Sequence, residues 1–502
     1  MKTKSMKAAS LVLACSLSAG LIACGGTEID NTDTRLPDVS DTTSSAETQD
    51  MSRVLELPDM DWGGREFRVL SYEDMQYSQF SNFEITSESE NGEVLNDAIF
   101  RRNSDISDKY NVKIVESRLR GEEFWTTTLP QLRKNTLAYD DLYDLAFIDL
   151  GSSGTAAREG LLCDLNEVDY IDFSKEWWNQ SVNDTLEISG KLYFTTSDFS
   201  LRDKNRVYLL AYNKNMCDEL SLGNPVELVR SGEWTIDVMG RWAKSAAIDL
   251  NGNGEIEYTD QFGLGTDSTN AFVALLYGCG VQAVTMDKDG KPTLSLNNEH
   301  TINAIDKLMN VYGQKDITLE CEDYRGKTGN IDYTEISGLA FYEGRELFVT
   351  SFPASLKNFS AKCVDEYAIL PFPKYDENQE KYCSYADIFG MTFGIPITCA
   401  DTDFAGFMLE ALSAASTDTT LTAYYEISCK TKYTYDPDSA EMLDLIFDNI
   451  QYDLSRIYNI SGVTDILKNI AYKKENTFAT AYASIEQKAV NDIEKLIDDM
   501  VQ

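Results

Sequence analysis

Histidine is almost missing from this chain: His300 is the single one among 502 residues. A zinc site built on several histidines is therefore excluded, and a Ser-His-Asp triad would have to use that one residue. Basic residues are also scarce, with 44 Lys and Arg against 83 Asp and Glu and a formal charge of −39. No run of Lys and Arg is longer than pairs such as Arg101-Arg102 and Lys473-Lys474. Such a surface repels phosphate backbones, so nucleic-acid binding is excluded as a class. Apolar runs long enough to span a bilayer are absent too; the stretch from Ala8 to about Ala19 is too short. Signatures of hydrolytic or nucleotide chemistry, Gly-x-Ser-x-Gly, Walker A and His-Glu-x-x-His, are not found.

Apolar residues are nevertheless plentiful, at 43% with 11% aromatic, so the acidity belongs to the surface of a folded protein. The length implies roughly two to four domains. The beginning of the chain reads as an address. Lys2, Lys4 and Lys7 precede the short apolar stretch, which ends in Leu21-Ile22-Ala23-Cys24-Gly25. That ending resembles the lipobox of bacterial lipoproteins, which implies cleavage before Cys24, a signal peptide over 1–23, and lipid on the Cys24 sulfur. Residues 24–57 are rich in Thr, Ser, Asp and Glu and are expected to form a disordered tether. Eight cysteines remain beyond Cys24, and 105 pairings are open to them.

Beyond the tether the pattern alternates. Strands are expected at 67–71, 111–116 and 144–148, and helices at 94–110, 124–137 and 154–160. A β-α-β-α-β order implies a parallel sheet flanked by helices, with ligands outside the carboxyl ends of its strands. Strand-like segments follow at 191–195 and 206–213, and helices at 404–415 and 477–500.

Several blocks then occur in a telling order: Asn96-Asp-Ala-Ile-Phe-Arg-Arg102, Tyr143-Asp-Leu-Ala-Phe-Ile148, Gly160-Leu-Leu-Cys-Asp-Leu165, Gly190-Lys-Leu-Tyr193, Ala211-Tyr-Asn-Lys-Asn215, Glu233-Trp-Thr235, Gly344-Arg-Glu-Leu-Phe348 and Tyr367-Ala-Ile-Leu-Pro-Phe-Pro373. The succession resembles the extracellular solute-binding proteins of ABC importers, in particular the carbohydrate-type group called family 1, which includes the maltose-binding protein. The resemblance implies an α/β fold of two lobes joined by a hinge, closing on a small solute such as a sugar or oligosaccharide, and an importer permease as partner. One lobe is expected over 60–197 and 390–432, the other over 198–389 and 433–502. No catalysis and no cofactor are implied. The expected state is a monomer held outside the cytoplasmic membrane by its lipid. A secreted carbohydrate-active enzyme is the rival class, since two carboxylates roughly 5 to 10 Å apart would suffice. A sensor or adhesion lipoprotein using the same fold is a third.

Sugar sites combine aromatic faces with carboxylates, amides and Arg. Tyr72, Glu73 and Asp149 follow strands and are expected at the cleft edge, and Asp198 and Arg206 bracket the first crossing between lobes. By resemblance, Ser351, Phe352 and Asp387 are also expected there, with Trp178 as a further candidate. Trp234 is expected to anchor a helix start instead. A separate loop carries oxygen side chains at calcium-loop spacing. Asp249, Asn251, Asn253, Glu257 and Asp260 stand at positions 1, 3, 5, 9 and 12, Gly254 at 6, and the Glu255 carbonyl at 7. Asp260 replaces the usual Glu, whose longer reach gives bidentate coordination. A structural Ca2+ stapling this loop is the expectation, against a metal-free Asx-turn.

Overall fold

The computed structural model describes residues 51–75, 81–121, 128–434 and 436–501. The signal segment, Cys24 and the tether up to residue 50 lie outside the described residues, as do 124–127 of one expected helix. Residues 51–57, expected as the end of the tether, are docked on the body. Arg53 pairs with Glu176 at 2.6 Å, Lys175 donates to the Met51 carbonyl and to Glu56 at 3.0 Å each, and Leu55 and Leu57 pack against the core. No helix among the described residues is long and apolar enough to cross a membrane.

The chain opens with β1 (Arg65–Asp74), α1 (Val94–Tyr110), β2 (Val112–Gly121), α2 (Leu129–Ala138), β3 (Leu145–Asp149) and α3 (Leu150–Arg158). α1 has the expected bounds because both ends are marked: the Glu93 carboxylate accepts from the Asn96 N–H, and Asn111 turns left-handed at φ 50°. β1 pairs in parallel with β2 and β3, as the β-α-β-α-β pattern requires. Tyr72 and Glu73, expected in a loop, lie within β1, because the pairing with β2 continues to Asp74 opposite Gly121. α3 starts at residue 150, four residues earlier than expected, since Asp149 caps it by accepting from the Ser152 N–H at 2.9 Å.

The second sheet contains β4 (Leu209–Asn213) and β5 (Phe262–Thr266); after a hairpin of β6 (Val284–Met286) and β7 (Pro292–Leu294), the chain returns to it with β8 (Thr318–Glu320), β9 (Glu346–Ser351) and β10 (Tyr367–Leu370). Its order is β10-β4-β9-β5-β8, with β5 parallel to both neighbours. The chain then runs through β11 (Ser384–Tyr385) to β12 (Met391–Gly394), which joins the first sheet antiparallel to β3, giving the order β12-β3-β1-β2. β13 (Ile450–Gln451) pairs with β11. These are two α/β lobes, each a sheet flanked by helices.

Residues 191–195 form single bridges, Ile188 to Lys191 and Thr195 to Phe393, where a strand was expected. Ile188 closes a local turn with Lys191, and only Thr195 reaches a distant partner, Phe393 in β12, so no ladder forms. The helix Thr402–Ser416 runs on into π-helical turns at Thr417–Leu421 and Ala423–Tyr433 before the helix Pro437–Phe447 packs on the second sheet. Such long π-helical windings are rare.

Candidate functional site between the lobes

The first crossing, 195–207, and the return crossing, 386–393, run antiparallel and are bridged at both ends, Thr195 to Phe393 and Val207 to Ala386. The Asp387 N–H donates to the Arg206 carbonyl at 3.0 Å. The return crossing also touches the carboxyl end of β3: Leu150 N donates to Gly390 O at 2.8 Å and Gly151 N to Ile388 O at 2.9 Å. Strand ends from both sheets thus meet two hinge segments, where ligands of open α/β sheets lie.

Charges gather at this junction. The Arg206 guanidinium is ion-paired with Asp387 and lies 3.8 Å over the Phe352 ring. Phe352 follows β9, and its other neighbour is Tyr208, with ring centroids 4.3 Å apart. Arg202, on the same crossing as Arg206, is buried among Glu84, Arg206, Asp149 and Asp387. Burial lowers its pKa to about 10, opposed by the Glu84 charge. Burial likewise pushes the Asp149 carboxyl up to about 6, against the Ser152 hydrogen bond and the Arg202 charge. Asp267, just beyond β5, is raised by burial and by Asp387, with Arg206 opposing. Arg456 donates to the Tyr385 hydroxyl at 3.2 Å. Asp149 Oδ2 and Asp387 Oδ1 are buried with no hydrogen-bond partner among the described residues.

Of the residues expected in the cleft, Asp149, Arg206, Phe352 and Asp387 are brought together, with Ser351 buried at the end of β9 beside them. The others are engaged elsewhere. Tyr72 is buried in the first lobe, its hydroxyl 3.2 Å from Asp74. Glu73 pairs with Arg120 at the rim, 2.9 Å away. Asp198 accepts from the Thr417 hydroxyl at 2.8 Å and lies 3.5 Å from Lys204, tying the first crossing to the π-helical turns. Trp178 is corrected to a core residue: it is 2% exposed, and its indole N–H donates to the buried Glu410 at 2.9 Å. Trp234 is a core residue as expected, fully buried and bonded to the Pro371 carbonyl, while Thr235 caps the following helix.

Glu84, Arg202, Tyr208, Asp267 and Arg456 were not found by sequence reasoning. Asp267 carried the same signal as Asp149, an acid directly after a buried strand, but the two glycines of β5 hid the strand. Arg202 had no such signal.

The Asp249–Asp260 loop wraps its own donors. Asp249 accepts from the N–H groups of Gly252 and Gly254 at 2.8 and 2.7 Å, which holds its carboxyl below the usual range. Asn251 and Asn253 each donate to Glu257, and Asp260, 1% exposed, accepts from Leu250 N and Glu257 N. The Glu255 side chain is exposed. The donor set is all oxygen, which suits Ca2+ and not a thiophilic metal. No group of three or more His, Cys, Asp and Glu among the described residues is already gathered as a metal cluster.

Two sheets, two bridged crossings and a charged junction between them form a recognisable architecture. It is the fold of the two-lobed ABC substrate-binding proteins. An ABC substrate-binding protein from Listeria monocytogenes in complex with cycloalternan aligns with a TM-score of 0.53 at 13% identity, over 87% of this chain and 99% of the other. A cyclo/maltodextrin-binding protein complexed with maltotetraose aligns at 0.55 and 13%, over 88% and 98%. A sugar transporter from Rhizobium etli in an open conformation gives 0.55 and 13%, over 87% and 98%. No protein-family model and no curated protein matches the chain.

Proposed function

We propose that this chain is an extracytoplasmic solute-binding protein, lipid-anchored through Cys24, that captures a sugar or oligosaccharide between its lobes and delivers it to an ABC importer. The lobes are 60–197 with 390–432 and 198–389 with 433–502, and the working unit is a monomer without catalytic activity. The observation that carries the reading is the junction of Asp149, Arg202, Arg206, Phe352 and Asp387, drawn from both lobes and both crossings. A ligand held by both sides stabilises the closed arrangement by its differential affinity. The sugars bound by neighbours of the same fold support the choice of cargo.

Thermal unfolding against a saccharide panel tests it. A ligand that binds only the folded state stabilises by about 2.7 kcal/mol at roughly one hundred times its Kd. A raised midpoint with the sugar recovered intact is the expected result; consumption of the sugar would replace binding by catalysis. The Asp249–Asp260 loop is proposed to hold a structural Ca2+ through Asp249, Asn251, Asn253, the Glu255 carbonyl, Glu257 and Asp260, stapling the loop and taking no part in capture.

A further inference from the structure

We infer that the chain has two thiol pairs, Cys163 with Cys399 and Cys279 with Cys383, that close into disulfides when they meet a small-molecule disulfide and so pin both ends of the return crossing. Their oxidising setting outside the cytoplasm rests on the proposed function, but their geometry does not.

All eight cysteines of the described residues are free thiols. Cys383 precedes the return crossing, 386–393, and Cys399 follows it, and each has a second thiol beside it. On the first-lobe side Leu162 bridges Pro396, with Cys163 N donating to Ile395 O at 2.8 Å and Ile397 N to Leu161 O at 2.9 Å. The chain then turns back, Cys399 N donating to Pro396 O at 2.9 Å, and the Cys163 thiol stands 3.5 Å from that same oxygen. One carbonyl thus receives both cysteines, and the Cys399 thiol feels Cys163. On the second-lobe side Gln379 Nε2 donates to Gly278 O, next to Cys279, at 2.9 Å and to Lys381 O at 2.7 Å. The Cys383 thiol lies 3.9 Å from that Lys381 carbonyl, and the Cys279 thiol feels Cys383. Tyr277 and Tyr385, each two residues from one of these cysteines, have ring centroids 4.9 Å apart. Cys217 and Cys363 instead have Asp218 and Asp365 as neighbouring charges.

Each pair joins a buried thiol, Cys399 or Cys279, to a half-buried one, Cys163 or Cys383. An oxidant RSSR reaches the half-buried sulfur first. That thiolate attacks one sulfur of RSSR, the S–S bond breaks, and the departing RS⁻ takes up the proton the thiol lost. The buried thiolate then attacks the protein sulfur of the mixed disulfide and expels the second RS⁻, which is protonated in turn. Two protein thiols are oxidised and one RSSR is reduced to two RSH. Burial pushes the Cys163 thiol up to about 11 and those of Cys279 and Cys399 to about 12, which leaves little thiolate at neutral pH and makes closure slow. Lys381 opposes the same push on Cys383 and makes it the readier attacking group.

The test holds the full chain with oxidised glutathione at about pH 8.5, or with dithiothreitol, and then blocks remaining thiols with N-ethylmaleimide. Peptides are mapped by mass spectrometry without reduction. Linked peptides joining Cys163 to Cys399 and Cys279 to Cys383 are expected after oxidation and absent after dithiothreitol, with Cys217, Cys321, Cys363 and Cys429 alkylated. The unfolding midpoint should be about 2–4 °C higher for each bridge formed. Cys163→Ser and Cys383→Ser should each lose one linked pair and keep the other, and the retained pair shows that the variant is folded. Thiols at the four positions that stay alkylated or stop at the glutathione adduct, or that link in another pairing, overturn the inference in the parent chain alone. Either result leaves the saccharide reading as it stands.

Discussion

Asp149 commits one carboxylate oxygen to the fold, while the other is buried at the lobe junction without a partner among the described residues. Its Oδ1 caps α3, while burial at the lobe junction raises its pKa to about 6 from an ordinary 3.8. A carboxyl whose folded pKa is raised holds its proton more tightly in the folded state. The associated stability is complete below the unfolded pKa and is lost as pH rises through about 6, an effect of about 3 kcal/mol. Asn preserves the cap acceptor and cannot ionise. Urea unfolding of Asp149→Asn should therefore match the parent near pH 4 and exceed it near pH 8; parallel pH profiles would sink this assignment. A second buried acid makes a steric demand. Glu346 is fully buried, its pKa pushed well up by burial, and a Cβ on Gly265 would stand 2.1 Å from its carboxyl oxygen. Gly265→Ala should lower stability by about 1–3 kcal/mol through overpacking. Glu346→Ala makes room, so the double variant should lose less than the sum of the singles.

At the scale of elements, legibility followed locality. α1 was readable to the residue because its caps and apolar spacing are written in consecutive positions, and β3 was displaced by one residue only. The residues meeting at the junction were readable where an acid follows a recognised strand, as Asp149 does. Arg202 and Glu84 were not, because only tertiary packing brings them together. Trp178 shows the converse limit: a stacking aromatic and a core aromatic have the same local pattern, and Glu410 decides between them. The π-helical turns 417–433 had no recognised periodicity, although they bond to the first crossing at Asp198 and, through Tyr424, at Asn205. The Asp249–Asp260 loop remains the element most open to direct test. If Ca2+ fills it, a chelator should lower the unfolding midpoint of the parent and leave Asp249→Ala unaffected, because the first ligand of the loop is gone. An equal response in both proteins would assign the metal elsewhere.

For the whole molecule, charge and hinge act on the same equilibrium. With 83 acids against 44 bases, bringing two lobes together concentrates negative charge, which opposes closure. A ligand overcomes this only through contacts made better in the closed state; moving an equilibrium from 1:99 to 99:1 takes about 5.5 kcal/mol of preference. Small-angle scattering should show the radius of gyration of the body falling from a value near 22 Å or above as a neutral sugar saturates the protein. Salt then separates the forces. Raising ionic strength from about 0.01 to 0.15 M shortens the screening length from about 30 to about 8 Å, weakening repulsion between the lobes. The affinity for an uncharged sugar should rise modestly over that range, since the ligand itself has no charge to be screened. Affinity falling steeply with salt would mean that capture depends on attraction between opposite charges and not on closure against the repulsion of two acidic lobes.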